Sequence, residues 1–166
     1  NIDIPSESEV IQMKTLIAYF SRTGITKKLA EETAKKTGAD LFSIEPVKKY
    51  SGSYLLCVAE AKMENLKKAR PAIVSKPQNL SEYDTIVVMF PIWWFTCPNI
   101  MLTFLEENDL AGKRIIPVCT YGSSGKGSSE AAMQKSCPQA SFTSCIEATA
   151  LKDKAADAIA EAIAVD

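Results

Sequence analysis

The sequence predicts an α/β protein in which five parallel strands form a three-layer, doubly wound sheet with the strand order 2-1-3-4-5. From Met13 onward, apolar strand-like runs alternate with amphipathic helical runs, which is typical of successive βαβ units. The strand-like runs are apolar at consecutive positions, as expected for a parallel sheet that is covered on both faces. The length of 166 residues suits one hydrophobic core.

The strands are predicted from apolar runs at 15–20, 40–44, 85–90, 114–120 and 141–146. The fourth run contains Pro117, which has no N–H group for a sheet hydrogen bond. We therefore expect Pro117 to lie at a bulge or at an edge of the sheet.

The helices are predicted at 24–37, 54–69, 98–106, 129–136 and 152–164. In the first, Ile25, Leu29 and Ala34 are expected to form the buried face, and Gly38 is expected to end the helix. Pro98 is expected at the first helical position of the third helix, where a missing N–H costs nothing.

The last predicted helix carries Ala155, Ile159 and Ile163 at intervals of four residues. This stripe predicts that the helix packs on the sheet.

The composition excludes several classes of function. A net charge of -1 with 23% charged residues does not predict a nucleic-acid partner. The longest apolar run, 85–95, is interrupted by Pro91 and is too short for a membrane span. The chain has no histidine, so it can form neither a Ser-His-Asp triad nor an imidazole metal site. Any redox chemistry would therefore come from a cofactor.

The termini and the cysteines suggest the cellular setting. Residues 1–12 are polar and are interpreted as an extension or linker before a domain at 13–166. The five cysteines include no CxxC pair, so we expect reduced thiols and a cytoplasmic protein. A secretion signal removed upstream of Asn1 stays open as an alternative.

The segment Ser21-Arg22-Thr23-Gly24-Ile25-Thr26 lies between the first strand and the first helix. Free N–H groups and the helix dipole favour a phosphate at such a junction. The alternative is that Ser21 or Thr23 only caps the helix.

Two more loops follow the third and fourth strands, at the same edge of the predicted sheet. Pro91-Ile92-Trp93-Trp94-Phe95 offers an aromatic surface for a planar ring, although one tryptophan is expected to belong to the core. Thr120-Tyr121-Gly122 and Gly125 belong to a loop whose backbone N–H groups could bind the polar edge of such a ring.

In these segments the chain resembles the flavodoxin-like FMN-binding proteins, in particular a bacterial short-chain branch, and the resemblance runs from Met13 to the C-terminus. It implies that Ser21 to Thr26 bind the phosphate of FMN and that Pro91 to Phe95 and Thr120 to Gly125 enclose its ring system. Two residues depart from the family pattern. Ile25 replaces a common asparagine, and Phe95 replaces a glycine at a position where the family's backbone adjusts when the flavin is reduced.

The resemblance leaves three functions open. The first is an electron-transfer flavodoxin that serves a redox partner protein and has no catalytic side chain. The second is an FMN-dependent NAD(P)H oxidoreductase that reduces a small acceptor such as a quinone. The third is a flavin-free binding or signalling domain, for which the acidic residues of a phosphoacceptor site are absent after the first strand.

Overall fold

The structure, a computed structural model, describes residues 13–165. The predicted extension at 1–12 lies outside the described residues. The main elements follow the alternation expected from the sequence: β1 (Lys14–Tyr19), α1 (Ile25–Thr37), β2 (Asp40–Ser43), α2 (Tyr54–Lys67), β3 (Tyr83–Pro91), α3 (Asn99–Glu107), β4 (Arg114–Thr120), α4 (Ser129–Ser136), β5 (Ser141–Phe142), β6 (Ile146–Glu147), α5 (Ala148–Leu151) and α6 (Ala155–Ala164).

All strand pairs are parallel, and the order is β2-β1-β3-β4-β5, with β6 also paired to β4. This confirms the predicted strand order. Both faces of the sheet are buried. One face packs against α3 and α4 through residues such as Phe104 and Met133. The other face packs against α1, α5 and α6 through residues such as Ala30 and Ile159.

The fifth strand is not continuous, which corrects the prediction of one strand at 141–146. Ile115 is paired with Phe142, but Val118 is paired with Ile146, so one extra residue bulges out between β5 and β6. Pro117 lies opposite this break. The carbonyl of Ile115 accepts a hydrogen bond from Thr143 on that side, and Pro117, two residues on, faces the same way. Its missing N–H therefore removes no regular sheet hydrogen bond.

Three predictions about helices are corrected. Leu29 and Ala34 pack against the core as predicted, beside the fully buried Thr26, Ala30 and Thr33, but Ile25 is 68% exposed, because Thr26 is turned toward the end of β4. Pro98 precedes the first helical residue, Asn99. The last helix begins at Ala155 rather than at Lys152, because Lys152 has a positive φ and a 3-10 turn intervenes.

The predicted stripe on α6 is confirmed, since Ala155 and Ile159 are buried against the sheet and Ile163 packs beside them. All five cysteines are buried and have free thiols. Within residues 13–165, no helix combines the length and the apolar character needed to span a bilayer.

Candidate functional site

A cavity of about 650 Å³ opens at the carboxyl ends of β1, β3 and β4. The parallel sheet brings the loops after these three strands to one edge, so segments far apart in the chain meet there. Its lining is polar at the start of α1 and mostly apolar elsewhere. The lining residues are Ser21, Arg22, Thr23, Ile25, Thr26, Tyr54, Cys57, Val58, Ala61, Pro91, Ile92, Trp93, Trp94, Thr120, Tyr121, Gly122 and Thr149.

All but three of the site residues expected from the sequence line this cavity. The exceptions are Gly24, Phe95 and Gly125, which belong to the same loops but do not form the cavity wall. All three have a positive φ, 95° at Gly24, 63° at Phe95 and 70° at Gly125, which suits the two glycines and is unfavourable for Phe95.

The start of α1 presents unused backbone donors to the cavity. Ser21 Oγ accepts a hydrogen bond from the N–H of Gly24 at 3.1 Å, but no side chain caps the helix itself. The first helical hydrogen bond joins the N–H of Lys28 to the carbonyl of Gly24 at 2.9 Å. The N–H groups of Ile25, Thr26 and Lys27 therefore have no helical acceptor, and they mark an anion-binding helix terminus.

Arg22 adds a positive charge beside these donors. One of its terminal nitrogens donates to the carbonyls of Ser51 and Gly52, at 3.2 and 3.1 Å, which fixes the direction of the side chain. Its Nε is buried and has no hydrogen-bond partner within the described part of the chain. A buried donor without a partner costs about 1–3 kcal/mol, so this atom indicates a missing acceptor.

The two tryptophans have different environments, as expected from the sequence. The indole of Trp93 packs edge-on against Phe20 and Tyr50, with ring centroids 5.2 and 4.9 Å apart, and so joins the core. Trp94 is more exposed. Its Nε1 donates to the carbonyl of Val58 in α2 at 3.0 Å, and the ammonium of Lys62 lies 4.7 Å from its ring.

The turn after Trp93 has an unusual backbone. Trp94 and Phe95 both have left-handed φ values, 54° and 63°, between the paired residues Trp93 and Thr96. Such conformations normally require glycine. Here the carbonyl of Phe95 accepts a hydrogen bond from the N–H of Ser128 at 2.9 Å, and Gly127 approaches the same carbonyl closely.

The loop after β4 is positioned by α5 and β6. The N–H of Tyr121 donates to the hydroxyl of Thr149 at 2.9 Å, and the N–H of Lys126 donates to Glu147 Oε1 at 2.9 Å. Glu130 Oε1 accepts hydrogen bonds from Lys126 Nζ at 2.8 Å and from the N–H of Cys145 at 2.7 Å. This loop is therefore held by carboxylates and hydroxyls of its neighbours.

Sequence reasoning missed one wall of the cavity, formed by Tyr54, Cys57, Val58 and Ala61 of α2. These residues follow ordinary helical spacing and carry no motif. Thr149 was also missed, because nothing in the sequence shows that α5 lies beside the loop after β4.

Two ionisable groups of the cavity, the Cys57 thiol and the Tyr121 hydroxyl, stay protonated at neutral pH because the pKa of each is raised. Burial raises the pKa of the Cys57 thiol, although the nearby Arg22 opposes this effect. Desolvation and the carboxylate of Glu147 raise the pKa of the Tyr121 hydroxyl. Of the described residues that line the cavity, none is a carboxylate or a lysine. Residues 13–165 also contain no group of three or more His, Cys, Asp or Glu side chains able to hold a metal ion.

Comparison with known proteins places this geometry in a family. A family model described as flavodoxin matches residues 14–162. A solved structure of a candidate flavoprotein from Bacteroides eggerthii is 34% identical, with a TM-score of 0.82, and the match covers 93% of this chain and 100% of that one. A candidate flavoprotein from Bacteroides uniformis is 35% identical, with a TM-score of 0.81, over 90% of this chain and 98% of that one.

A third structure, a Lactobacillus acidophilus flavoprotein in complex with FMN, is 18% identical and has a TM-score of 0.75. The match covers 86% of this chain and 98% of that one and shows a shared fold. No curated protein is significantly similar to the chain. The match of the family model over nearly the whole described chain, together with the two Bacteroides relatives, shows that this chain belongs to the flavodoxin family.

Proposed function

We propose that this chain binds FMN in the cavity between β1, β3 and β4 and acts as an electron-transfer protein. The observation that carries the proposal is the start of α1, where three backbone N–H groups and the buried Nε of Arg22 have no acceptor among the residues that the structure describes. A phosphate dianion would satisfy these donors and would also benefit from the helix dipole.

The rest of the cavity fits a flat, largely apolar ring system. Pro91, Ile92 and the two tryptophans form one wall, and Tyr121 and Gly122 form another. Backbone groups of the loop after β4 would bind the polar edge of the ring. Aromatic stacking on a tryptophan contributes about 0.5–1.5 kcal/mol beyond the burial of apolar area.

The chemistry of the lining favours electron transfer. Bound FMN supplies the redox chemistry itself. The protein's own groups bind and orient it and keep water away from the apolar wall. Cys57 and Tyr121 are protonated at neutral pH, and the lining residues among 13–165 include no carboxylate, so these residues offer no evident acid–base catalyst near pH 7. One redox partner protein would then supply the electrons and another would receive them.

A second candidate function is an FMN-dependent NAD(P)H:quinone-type oxidoreductase. The wall formed by α2 supports it, because Val58 and Ala61 extend the apolar lining beyond the three loops. A planar acceptor such as a quinone would find an apolar surface there. A flavin-free binding role has no comparable support in the described residues.

Titration with FMN and with riboflavin tests the phosphate site. Arg22→Gln removes the charge, so we expect the variant to bind FMN about tenfold more weakly while riboflavin binding stays unchanged, since one charge-assisted hydrogen bond contributes about 1.5 kcal/mol. Thr26→Glu places a carboxylate where the phosphate would lie and should abolish FMN binding. Equal losses for both flavins would contradict the assignment, and circular dichroism checks that each variant is folded.

Two measurements separate the remaining questions. Trp93→Phe and Trp94→Phe identify the stacking residue, because only that residue quenches flavin fluorescence strongly. Anaerobic titration of the FMN-loaded protein with NADPH then separates the two functions. Bleaching of the flavin spectrum supports the reductase, and an unchanged spectrum supports the electron carrier. Failure of the wild-type protein to bind FMN would leave the flavin-free role.

A further inference from the structure

The loop after β4 is held at two points, and both of the residues that hold it belong to β6 and α5. At the start of the loop, the N–H of Tyr121 donates to the hydroxyl oxygen of Thr149 at 2.9 Å. Near its end, the N–H of Lys126 donates to Glu147 Oε1, also at 2.9 Å. Glu147 and Thr149 are two residues apart in the chain, so one short piece of backbone fixes both ends of the loop.

The segment between these two anchors presents free donors at the cavity. The N–H groups of Gly122, Ser123 and Ser124 have no acceptor among the residues that the structure describes, and all three residues are exposed. Gly122 also lines the cavity. We refer to residues 122–124 as the donor segment. Such donors bind a ligand well only when the loop is already held in place, because ordering a loop on binding costs conformational entropy.

The sheet determines where the carboxylate of Glu147 lies. Glu147 is paired with Cys119 of β4, the strand that leads into the loop. Its Oε1 also lies close to Gly125, since a Cβ added to that glycine would be 2.8 Å from this oxygen. The carboxylate therefore reaches the backbone of the loop past a residue that has no side chain. Support from a strand positions a group more precisely than support from another loop.

We propose that Glu147 and Thr149 are positioning residues for the ring of the bound flavin, because they hold the donor segment where its N–H groups meet the polar edge of the ring. This inference rests on the proposed function, since it concerns the same cavity. Both residues act through the loop. The carboxylate of Glu147 serves as a hydrogen-bond acceptor, so its charge is not required for binding of the ring.

The position of the donor segment matters more for reduced flavin than for oxidised flavin. Reduction places additional negative charge on the polar edge of the ring. Hydrogen bonds to a charged acceptor are about twice as strong as those to a neutral acceptor. A displaced donor segment should therefore weaken binding of the reduced form further, which lowers the reduction potential. A role of these residues in stability alone would not produce this difference.

Two neutral variants of similar length test the role of Glu147. Glu147→Gln keeps an oxygen acceptor for the N–H of Lys126, whereas Glu147→Met removes it. We expect the Gln variant to bind FMN and riboflavin within about threefold of the wild type, and the Met variant to bind both about tenfold more weakly. The ratio of the two affinities, which reports on the phosphate site, should not change. Equal affinities of the Gln and Met variants would overturn the proposal for Glu147.

The reduction potential of bound FMN separates positioning from stability. Glu147→Met should have a two-electron potential about 30 mV below that of Glu147→Gln, which corresponds to a further tenfold loss for the reduced form. Glu161→Met makes the same kind of change at an exposed position on α6 and should alter neither affinity nor potential. Equal potentials of the two variants at position 147 would show that the donor segment does not meet the polar edge of the ring.

A second pair of variants tests Thr149. Thr149→Ser keeps the hydroxyl that accepts the N–H of Tyr121, and Thr149→Val removes it without changing the shape of the side chain. The Ser variant should bind both flavins as the wild type does, and the Val variant should bind both about tenfold more weakly. Equal affinities of these two variants would remove Thr149 from the proposal. Circular dichroism checks that every variant is folded.

Amide hydrogen exchange of the flavin-free protein gives a readout that does not depend on the ligand. The N–H of Lys126 should exchange at least about tenfold faster in Glu147→Met than in Glu147→Gln. Unchanged exchange would show that the carboxylate does not hold the loop and would overturn the proposal. A wild-type protein that binds no FMN would refute the proposed function together with this inference. Tight FMN binding by all four variants would refute this inference alone.

Discussion

The hydroxyl of Thr26 at the start of α1 lies 2.9 Å from the hydroxyl of Thr120 at the end of β4, and both residues are buried. This contact joins two of the loops that form the cavity, although 94 residues separate them in the chain. One of the two hydroxyls donates to the other in a place where water has little access.

We expect the effects of substituting Thr26 and Thr120 on stability to be non-additive. Thr26→Val keeps the shape of the side chain but leaves the hydroxyl of Thr120 without its partner, which should lower the free energy of unfolding by about 1–3 kcal/mol. Thr120→Val should do the same from the other side. The double variant should cost clearly less than the sum, as measured by urea unfolding. Additive losses would mean that the hydroxyls do not depend on one another.

We expect a side chain at position 127 to destabilise the protein through a steric clash. A Cβ at this position would lie 1.8 Å from the carbonyl oxygen of Phe95, and φ is 55°. Gly127→Ala should therefore displace the turn at Phe95 and lower the free energy of unfolding by about 3 kcal/mol. Gly122→Ala is the matched control in the same loop. It meets nothing within 4 Å and should change stability by less than about 0.5 kcal/mol. Equal effects of the two variants would contradict this account.

At position 95 we expect glycine to give a more stable protein than alanine, the reverse of the usual order. Its φ of 63° suits glycine, and its side chain is 67% exposed, so little packing is lost on truncation. We expect Phe95→Gly to be more stable than Phe95→Ala by about 1 kcal/mol in chemical unfolding, whereas alanine is normally preferred. Greater stability of the alanine variant would show that the turn adopts another conformation in solution.

We expect Glu130 to make the stability of the protein depend on pH in the acid range. Hydrogen bonds from Lys126 and from the N–H of Cys145 hold the pKa of this carboxyl below its ordinary value of 4.5. A carboxyl whose pKa is lowered by folding stabilises the native state above its unfolded pKa, and this contribution is lost as the pH falls through the folded pKa.

The corresponding measurement is thermal unfolding at a series of pH values. Glu130→Gln should be less stable than the wild type at neutral pH, and the gap should narrow as the pH falls below 4.5. Glu31→Gln, which changes an exposed carboxylate on α1, serves as the control. A gap that stays constant with pH would show that the charge of Glu130 does not contribute.

Much of the fold could be predicted because burial of both sheet faces leaves a clear apolar pattern in the sequence. The bounds predicted for β4 and α4 agree with the structure. The break in the fifth strand could not be predicted from the sequence, since the bulge depends on pairing with β4 and on the missing N–H of Pro117. The residues of a strand do not by themselves determine which strand will lie beside it.

The candidate site, like the fold, could be predicted from the sequence only in part. Its three loops were predicted because a doubly wound topology brings the carboxyl ends of strands together. The wall from α2 was not predicted, because Cys57 and Ala61 look like ordinary core residues of a helix. The exposed position of Ile25 was also missed, since an apolar residue in a helical pattern is normally assigned to the core. In the structure, Thr26 is turned inward, where its hydroxyl contacts that of Thr120, and the neighbouring Ile25 is exposed.

The extra residue between β5 and β6 has a consequence for insertions and deletions. Phe142 and Ile146 are four residues apart, so regular alternation would put them on one face, but Phe142 pairs with Ile115 in one apolar layer and Ile146 pairs with Val118 in the other. Shortening this segment by one residue would therefore give even pairing with β4 and leave Ile146 and Glu147 on their present faces. A continuous strand would, however, pair along Pro117, which has no N–H to donate to it. Relatives that keep a proline at this position of β4 should therefore keep the extra residue, however much the composition of the segment varies.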